Sequence, residues 1–183
     1  MSHDGRTAIL GLGNSLLADD GVGVAVAVAC QRLLQQMPIP GVDVLVTTRA
    51  GFELIDLLHG YGAVVLIDCL DVPNAQPGRV RRLGLSDVRG SSRLIGGHDL
   101  SVSTAFDLAA QLCIPMPTEV EIFAVEGADL RTLGGGLSPA VASAVEPLAR
   151  SIHDRLQQAL EGSIPADSEQ FHRRRQMYAP ATP

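Results

Sequence analysis

Residues Gly11–Gly23, GLGNSLLADDGVG, decide how this chain is read. A short apolar run, Thr7–Leu12 (TAILGL), leads into Gly-x-Gly, as a strand does before the turn of a dinucleotide-binding unit. The pattern then departs from that fingerprint. Leu16 stands where the third glycine of GxGxxG belongs, and Asp19-Asp20-Gly21 follows soon after. Amide N–H groups at a strand-to-helix turn favour phosphate, so two carboxylates there call for a different ligand.

Outward from this turn, short apolar runs alternate with longer helical patterns. This predicts an α/β fold with three layers, α/β/α, around a mostly parallel, five-stranded twisted sheet with helices on both faces. Strands are expected at Thr7–Leu12, Val42–Thr47, Ala63–Asp68 and Glu119–Val125, with Arg79–Leu83 as a polar edge strand. The first helix, Gly21–Gln36, is ended by Pro38 and Pro40, and a short one covers Gly51–Leu58. Apolar residues at 102, 105, 106, 109 and 112 mark one face of a helix over Leu100–Leu112. The last helix opens at Ser138-Pro139, an N-cap residue followed by proline at the first helical position. It buries Val141, Val145, Leu148, Ile152, Leu156 and Ala159, and Pro147 is expected to kink it. Residues 1–161 read as one domain and 162–183 as a mobile polar tail, its run Arg173–Arg175 solvated or, as the lesser alternative, docking a partner.

Composition narrows the function. The chain has 183 residues, 46% hydrophobic and 19% charged, which suits one globular domain. Its net charge of −6 argues against nucleic-acid binding. All 14 basic residues are arginines, so a Walker lysine, a Schiff-base lysine and a Ser-Lys dyad are excluded. Cys30, Cys69 and Cys113 form no CxxC pair, so neither a thiolate zinc site nor a disulfide framework is indicated. The N-terminus has no signal-like core, and the longest apolar run, Val22–Cys30, is well short of the ~18 residues a membrane span needs. A soluble cytoplasmic protein without membrane insertion is expected.

In an open α/β sheet, sites form beyond the carboxyl ends of the strands. Asp19 and Asp20 follow the first strand, Asp68 closes the third, and His98 lies in GGHDLS before a helix. Two carboxylates and an imidazole at one sheet edge suit a borderline divalent ion. Each has a structural alternative: Asp19 or Asp20 as helix cap, Asp68 as turn residue, His98 as loop histidine. Nucleotide binding fares worse, because the second strand ends Val46-Thr47-Thr48-Arg49 with no acid for a ribose, although an arginine there suits a 2′-phosphate. A Cys69–His98 hydrolase is a further alternative, but Cys69 has the opposite strand parity from Asp68. No GxSxG elbow supports serine catalysis.

Over residues 7–160 the sequence resembles the [NiFe]-hydrogenase maturation proteases, which trim the C-terminus of the hydrogenase large subunit. The resemblance is carried by GLGNSLLADDGVG, LIDCLDVPNAQPG, GGHDLS and VEGADLRTLGGGLSPAVASAVEPL. It implies that Asp20, Asp68 and His98 bind nickel and share the catalytic role, the metal arriving with the substrate so that the free enzyme need not hold it. Asp19, next to a ligand, either supports that ligand or caps the helix, the cap being favoured. The implied partner is the large-subunit precursor with nickel inserted near its C-terminal cysteine motif, and the implied reaction is nickel-dependent removal of a C-terminal extension.

One departure bears on substrate choice. Many family members carry an acidic DGGT-like stretch after the second strand, where this chain reads VTTRAGFEL. Arg49 in that stretch is expected either to contact the substrate or to be an exposed loop residue. Two other functions are open to the sequence: a non-proteolytic nickel- or precursor-binding assembly protein, and a metal-dependent aminopeptidase acting on short peptides.

Overall fold

The computed structural model describes residues 5–48, 51–88 and 102–162. Its strands are β1 (Thr7–Leu12), β2 (Val42–Thr47), β3 (Ala63–Leu70), β4 (Val80–Gly84) and β5 (Glu119–Glu126). Its helices are α1 (Val22–Gln36), α2 (Phe52–Leu58), α3 (Leu85–Val88), α4 (Val102–Gln111) and α5 (Pro139–Gly162). A single 3-10 turn, Ala18–Gly21, precedes α1. The strands form one sheet in the order β2-β1-β3-β5-β4, in which only β4 runs antiparallel to its neighbour. The mostly parallel five-stranded α/β architecture expected from the sequence is therefore present.

Side-chain alternation along the central strands divides the core into two layers. Ala8, Leu10 and Leu12 of β1 pack with Leu54 and Leu58 of α2 and with Phe106 of α4. Ile9, on the opposite face, packs with Val22 and Val26 of α1 and with Val145 and Ile152 of α5. Burying each such aliphatic side chain contributes about 1.5–3 kcal/mol. A strand covered on both faces has to be apolar at successive positions, which is why TAILGL and AVVLI show no polar alternation.

The glycines of the opening motif let α1 press onto this sheet. A Cβ on Gly23 would run into the carbonyl oxygens of Leu12 and Ile67, and one on Gly11 would meet the carbonyl of Gly23. Gly13 has φ +129°, and a Cβ there would strike the carbonyl oxygen of Asp20. Backbone therefore packs on backbone where β1 turns into α1.

Several boundaries differ from expectation. β3 continues two residues past Asp68, so that aspartate lies inside the strand and does not close it. Ala18–Gly21 forms its own turn ahead of α1, and the short helix α3 carried no sequence signal. Helix α5 continues through Pro147 and includes Gly162, the first residue assigned to the tail. Residues 163–183, which hold the rest of that tail, lie outside the described residues. Among the described residues no helix is long and apolar enough to cross a membrane.

Candidate active site

Strand β1 pairs with β2 on one side and β3 on the other, so the chain reverses direction across the sheet at this point. The carboxyl ends of β1 and β3 flank the crevice where open α/β sheets bind their ligands. Asp20 sits in the turn after β1. Gly11 pairs with Ile67, which brings Asp68 of β3 level with Leu12 at the end of β1. The two carboxylates predicted from separate sequence segments thus meet at one place.

Both are buried. Asp68 Oδ1 accepts a hydrogen bond from the Cys69 amide at 2.8 Å, while its buried Oδ2 has no hydrogen-bond partner among the described residues. Burial pushes the Asp68 carboxyl up from 3.8 to about 7; the Cys69 amide opposes this and the nearby charge of Asp20 adds to it. Asp20 Oδ2 accepts from the Asn14 amide at 2.8 Å. An orphaned carboxylate oxygen beside a second acid is a donor set that fits a divalent cation, which would satisfy the lone pairs and offset the repulsion. His98, the third predicted ligand, and Arg49, the predicted substrate contact, lie outside the described residues. Among the described residues no three His, Cys, Asp or Glu side chains cluster as a metal site.

Asp19 does not cap the helix that follows it, because α1 has no side-chain cap. Its carboxylate turns instead to the loop between β5 and α5. Oδ2 accepts from the amides of Ala128 at 2.8 Å and Asp129 at 3.1 Å, and from the Ser138 hydroxyl at 3.0 Å. Oδ1 accepts from the Ser138 amide at 2.6 Å. Burial opposes ionisation here, but the hydrogen bonds from Ser138, Ala128 and Asp129 outweigh it and hold the carboxyl below its ordinary value.

Cys69 points into the layer under α1 and α5, away from the face that Leu66 and Leu70 share with α2 and α4. Burial, then the charges of Asp68, Asp20 and Asp19, push its thiol far up, which disfavours the thiolate a nucleophile needs. The Cys–His alternative loses its nucleophile on these grounds.

Sequence reasoning passed over Glu126, at the end of β5. It is almost fully buried, accepts from the Gln76 amide at 2.6 Å and pairs with Arg81 Nε at 2.6 Å. It thereby pins the loop that leaves β3 beyond Asp68. The exposed side chains of Leu16 and Leu133 lie on the same rim, joined through the Leu17–Leu133 bridge and a Gly134 amide to Leu16 carbonyl bond of 2.9 Å.

Comparison with known proteins gives one consistent direction. The profile of the HycI hydrogenase maturation proteases matches residues 24–155, a range that contains Asp68 and His98 and begins just after Asp20. The chain is 28% identical over 151 residues to the hydrogenase expression/formation protein HupD of Bradyrhizobium diazoefficiens, covering 80% of this chain and 75% of that one. Its fold is similar to that of the hydrogenase maturating endopeptidase HybD from E. coli, with a TM-score of 0.67 at 21% identity over 84% of this chain and 93% of that one. It is similar also to the [NiFe] hydrogenase maturation protease HybD from Thermococcus kodakarensis, with a TM-score of 0.58 at 25% identity over 82% and 98%.

Proposed function

The chain belongs to the hydrogenase maturation proteases, a family of hydrolases, and on that premise we propose that it removes a C-terminal extension from the nickel-loaded precursor of a [NiFe]-hydrogenase large subunit. The observation that carries this reading is the buried pair Asp20 and Asp68 at the sheet's switch point, with Asp68 Oδ2 left without a partner among the described residues. Asp20 and Asp68 supply oxygen donors and His98 a nitrogen donor to the nickel that the precursor presents. The ion is part of the substrate, so an acceptable partner is one that already carries it.

The protein's own residues shape this encounter. The Asn14 amide holds one oxygen of Asp20 and the Cys69 amide holds one oxygen of Asp68, so each carboxylate keeps its second oxygen for the ion. A divalent ion so held polarises a peptide carbonyl or acidifies a water molecule. The apolar rim at Leu16 and Leu133 suits a polypeptide substrate better than a small polar one. Arg49 contacts the substrate's tail, and the reaction belongs in the cytoplasm.

Intact-mass spectrometry of the cognate precursor tests the reading, with and without nickel loading and with His98→Ala alongside. The expected result is loss of a C-terminal peptide in the nickel-loaded, wild-type reaction alone. Cleavage of nickel-free precursor would remove the metal recognition, and an uncleaved nickel-loaded precursor would sink the proteolytic reading. An Arg49→Ala variant that cleaves at the wild-type rate would remove the substrate role of that arginine.

A further inference from the structure

Asp19 has no part in the reaction proposed above, yet it is a fully buried carboxylate held by four donors beside the site. Charge-assisted hydrogen bonds are stronger than neutral ones, so this group is a strong local anchor. Two main-chain bonds reinforce it: Ala18 N–H donates to the Thr132 carbonyl at 3.0 Å and Asp19 N–H to the Asp129 carbonyl at 2.8 Å. The Ala18–Gly21 turn is thus sewn to the 127–138 loop and to the start of α5. A single 3-10 turn has little stability of its own, and here the anchoring comes from outside it.

The same anchor reaches both carboxylates of the site. Asp20 is the next residue in the turn, and among the described residues its side chain is fixed only by the Asn14 amide. Asp68 is reached through its neighbour. Gly127, which opens the loop, is wedged so that an added Cβ would lie 2.8 Å from Cys69 Sγ and 3.3 Å from Asp19 Cβ. The loop therefore bears on β3 through Cys69 and on the Asp20 turn through Asp19.

Resting on the reading of Asp20 and Asp68 as the working carboxylates, we propose that Asp19 is a positioning residue. Its carboxylate fixes the Asp20 turn against the 127–138 loop and so sets the spacing of Asp20 and Asp68. It touches neither substrate nor metal. A displacement of about 1 Å in a reacting constellation costs on the order of 100-fold in rate, so the effect falls mainly on turnover, with a smaller loss of substrate binding through the displaced carboxylates. A merely structural role would instead lower the amount of folded protein and leave each folded molecule fully active.

The test uses the full chain carrying Asp19→Asn, with kcat and KM measured on nickel-loaded large-subunit precursor and normalised to folded protein by circular dichroism. Asparagine keeps the size of the side chain but turns an NH2 group toward backbone donors at Ser138 or at Ala128 and Asp129. The expected result is a kcat about 100-fold lower per folded molecule, with any rise in KM much smaller than the fall in kcat. An unchanged kcat per folded molecule overturns the proposal, as does a raised KM with kcat intact. If Asp19→Asn does not fold, Ser138→Pro decides in its place. It removes both donors of residue 138, lies just ahead of the first residue of α5, and is expected to lower kcat about 10-fold with a smaller change in KM; no change in kcat overturns the proposal. An Asp20→Asn control separates the two ideas. An inactive wild type or an active Asp20→Asn fells the functional reading and this proposal together, whereas a fully active Asp19→Asn beside an inactive Asp20→Asn fells this proposal alone.

Discussion

The charge of Asp20 acts on Asp68: burial is the larger cause and Asp20 the smaller one, and together they push the Asp68 carboxyl to about 7, against 3.8 for a free aspartate. Between these two values the folded protein holds a proton that the unfolded chain has released. This group therefore adds stability as pH falls from about 7 toward 3.8, and withdraws it as pH rises through 7. At ~1.4 kcal/mol per pKa unit the full swing is about 4 kcal/mol.

Asp68→Asn removes that titration, keeps an oxygen for the Cys69 amide, and replaces the orphaned oxygen with an uncharged group. Urea unfolding at pH 8 is expected to show the variant about 2–4 kcal/mol more stable than wild type, with the gap narrowing through pH 5 and closing near pH 3.8. Precursor cleavage is expected to be lost in the same variant. Stability gained with activity lost is the mark of a carboxylate kept for function at a cost to the fold. A variant less stable than wild type at pH 8 would contradict this account of the buried charge.

Glu126 titrates in the opposite sense. The Gln76 amide first, and then Arg81 and Arg79, hold its carboxyl below 4.5 against the effect of burial. Its contribution is present above pH 4.5 and is lost as pH falls through the lowered folded value. Together with Asp68 this predicts greatest stability between about pH 4.5 and 7, where Asp68 has begun to hold its proton and Glu126 is still ionised. Glu126→Ala leaves the Gln76 amide and Arg81 without their acceptor and should cost about 2–3 kcal/mol. For a chain of this size that is a fall in Tm of about 5–10 °C by calorimetry. A Tm within a degree of wild type would mean that Glu126 does not pin the loop after β3.

The residues that were legible in sequence and those that were not differ in the range of the force that places them. β1 begins and ends where its apolar run does, since two-sided burial writes itself into consecutive residues, and the half-buried edge strand β2 keeps the bounds of VDVLVT. The meeting of Asp20 and Asp68 was legible because sheet topology sends strand ends to a common edge. β3 was read as ending at Asp68 because a carboxylate ends an apolar run, yet the strand continues to Leu70, pairing Asp68 with Ala124 and Leu70 with Glu126. From its neighbours alone Asp19 reads first as a cap and second as support for Asp20, and neither reading names its partner Ser138, which lies 119 positions away and leaves no trace in local sequence. Glu126 was missed for a related reason. An acid at the end of an apolar strand reads as the start of a loop, and only the fold brings Arg81 and Gln76 to it. The roles of His98 and Arg49 rest on the sequence pattern.

Gly23 tests whether the opening motif serves packing as well as chemistry. It stands in the first turn of α1, where an added Cβ would collide with the main-chain carbonyls of Leu12 and Ile67. Neither is the movable end of a side chain, because both belong to strands hydrogen-bonded within the sheet. Gly23→Ala must therefore lift α1 off β1 and β3, at about 3 kcal/mol or more, the upper range for overpacked cores. A fall in Tm of about 10 °C is expected by calorimetry, or loss of soluble protein. Gly135→Ala is the matched control, since a Cβ there meets nothing nearer than Thr132 Cγ2 at 3.6 Å, and its Tm should stay within about 2 °C of wild type. Lifting α1 would also displace the Ala18–Gly21 turn that precedes it, so cleavage should fall in the folded fraction of Gly23→Ala. A Gly23→Ala protein with wild-type Tm and full cleavage would show that α1 does not rest on the strand backbones.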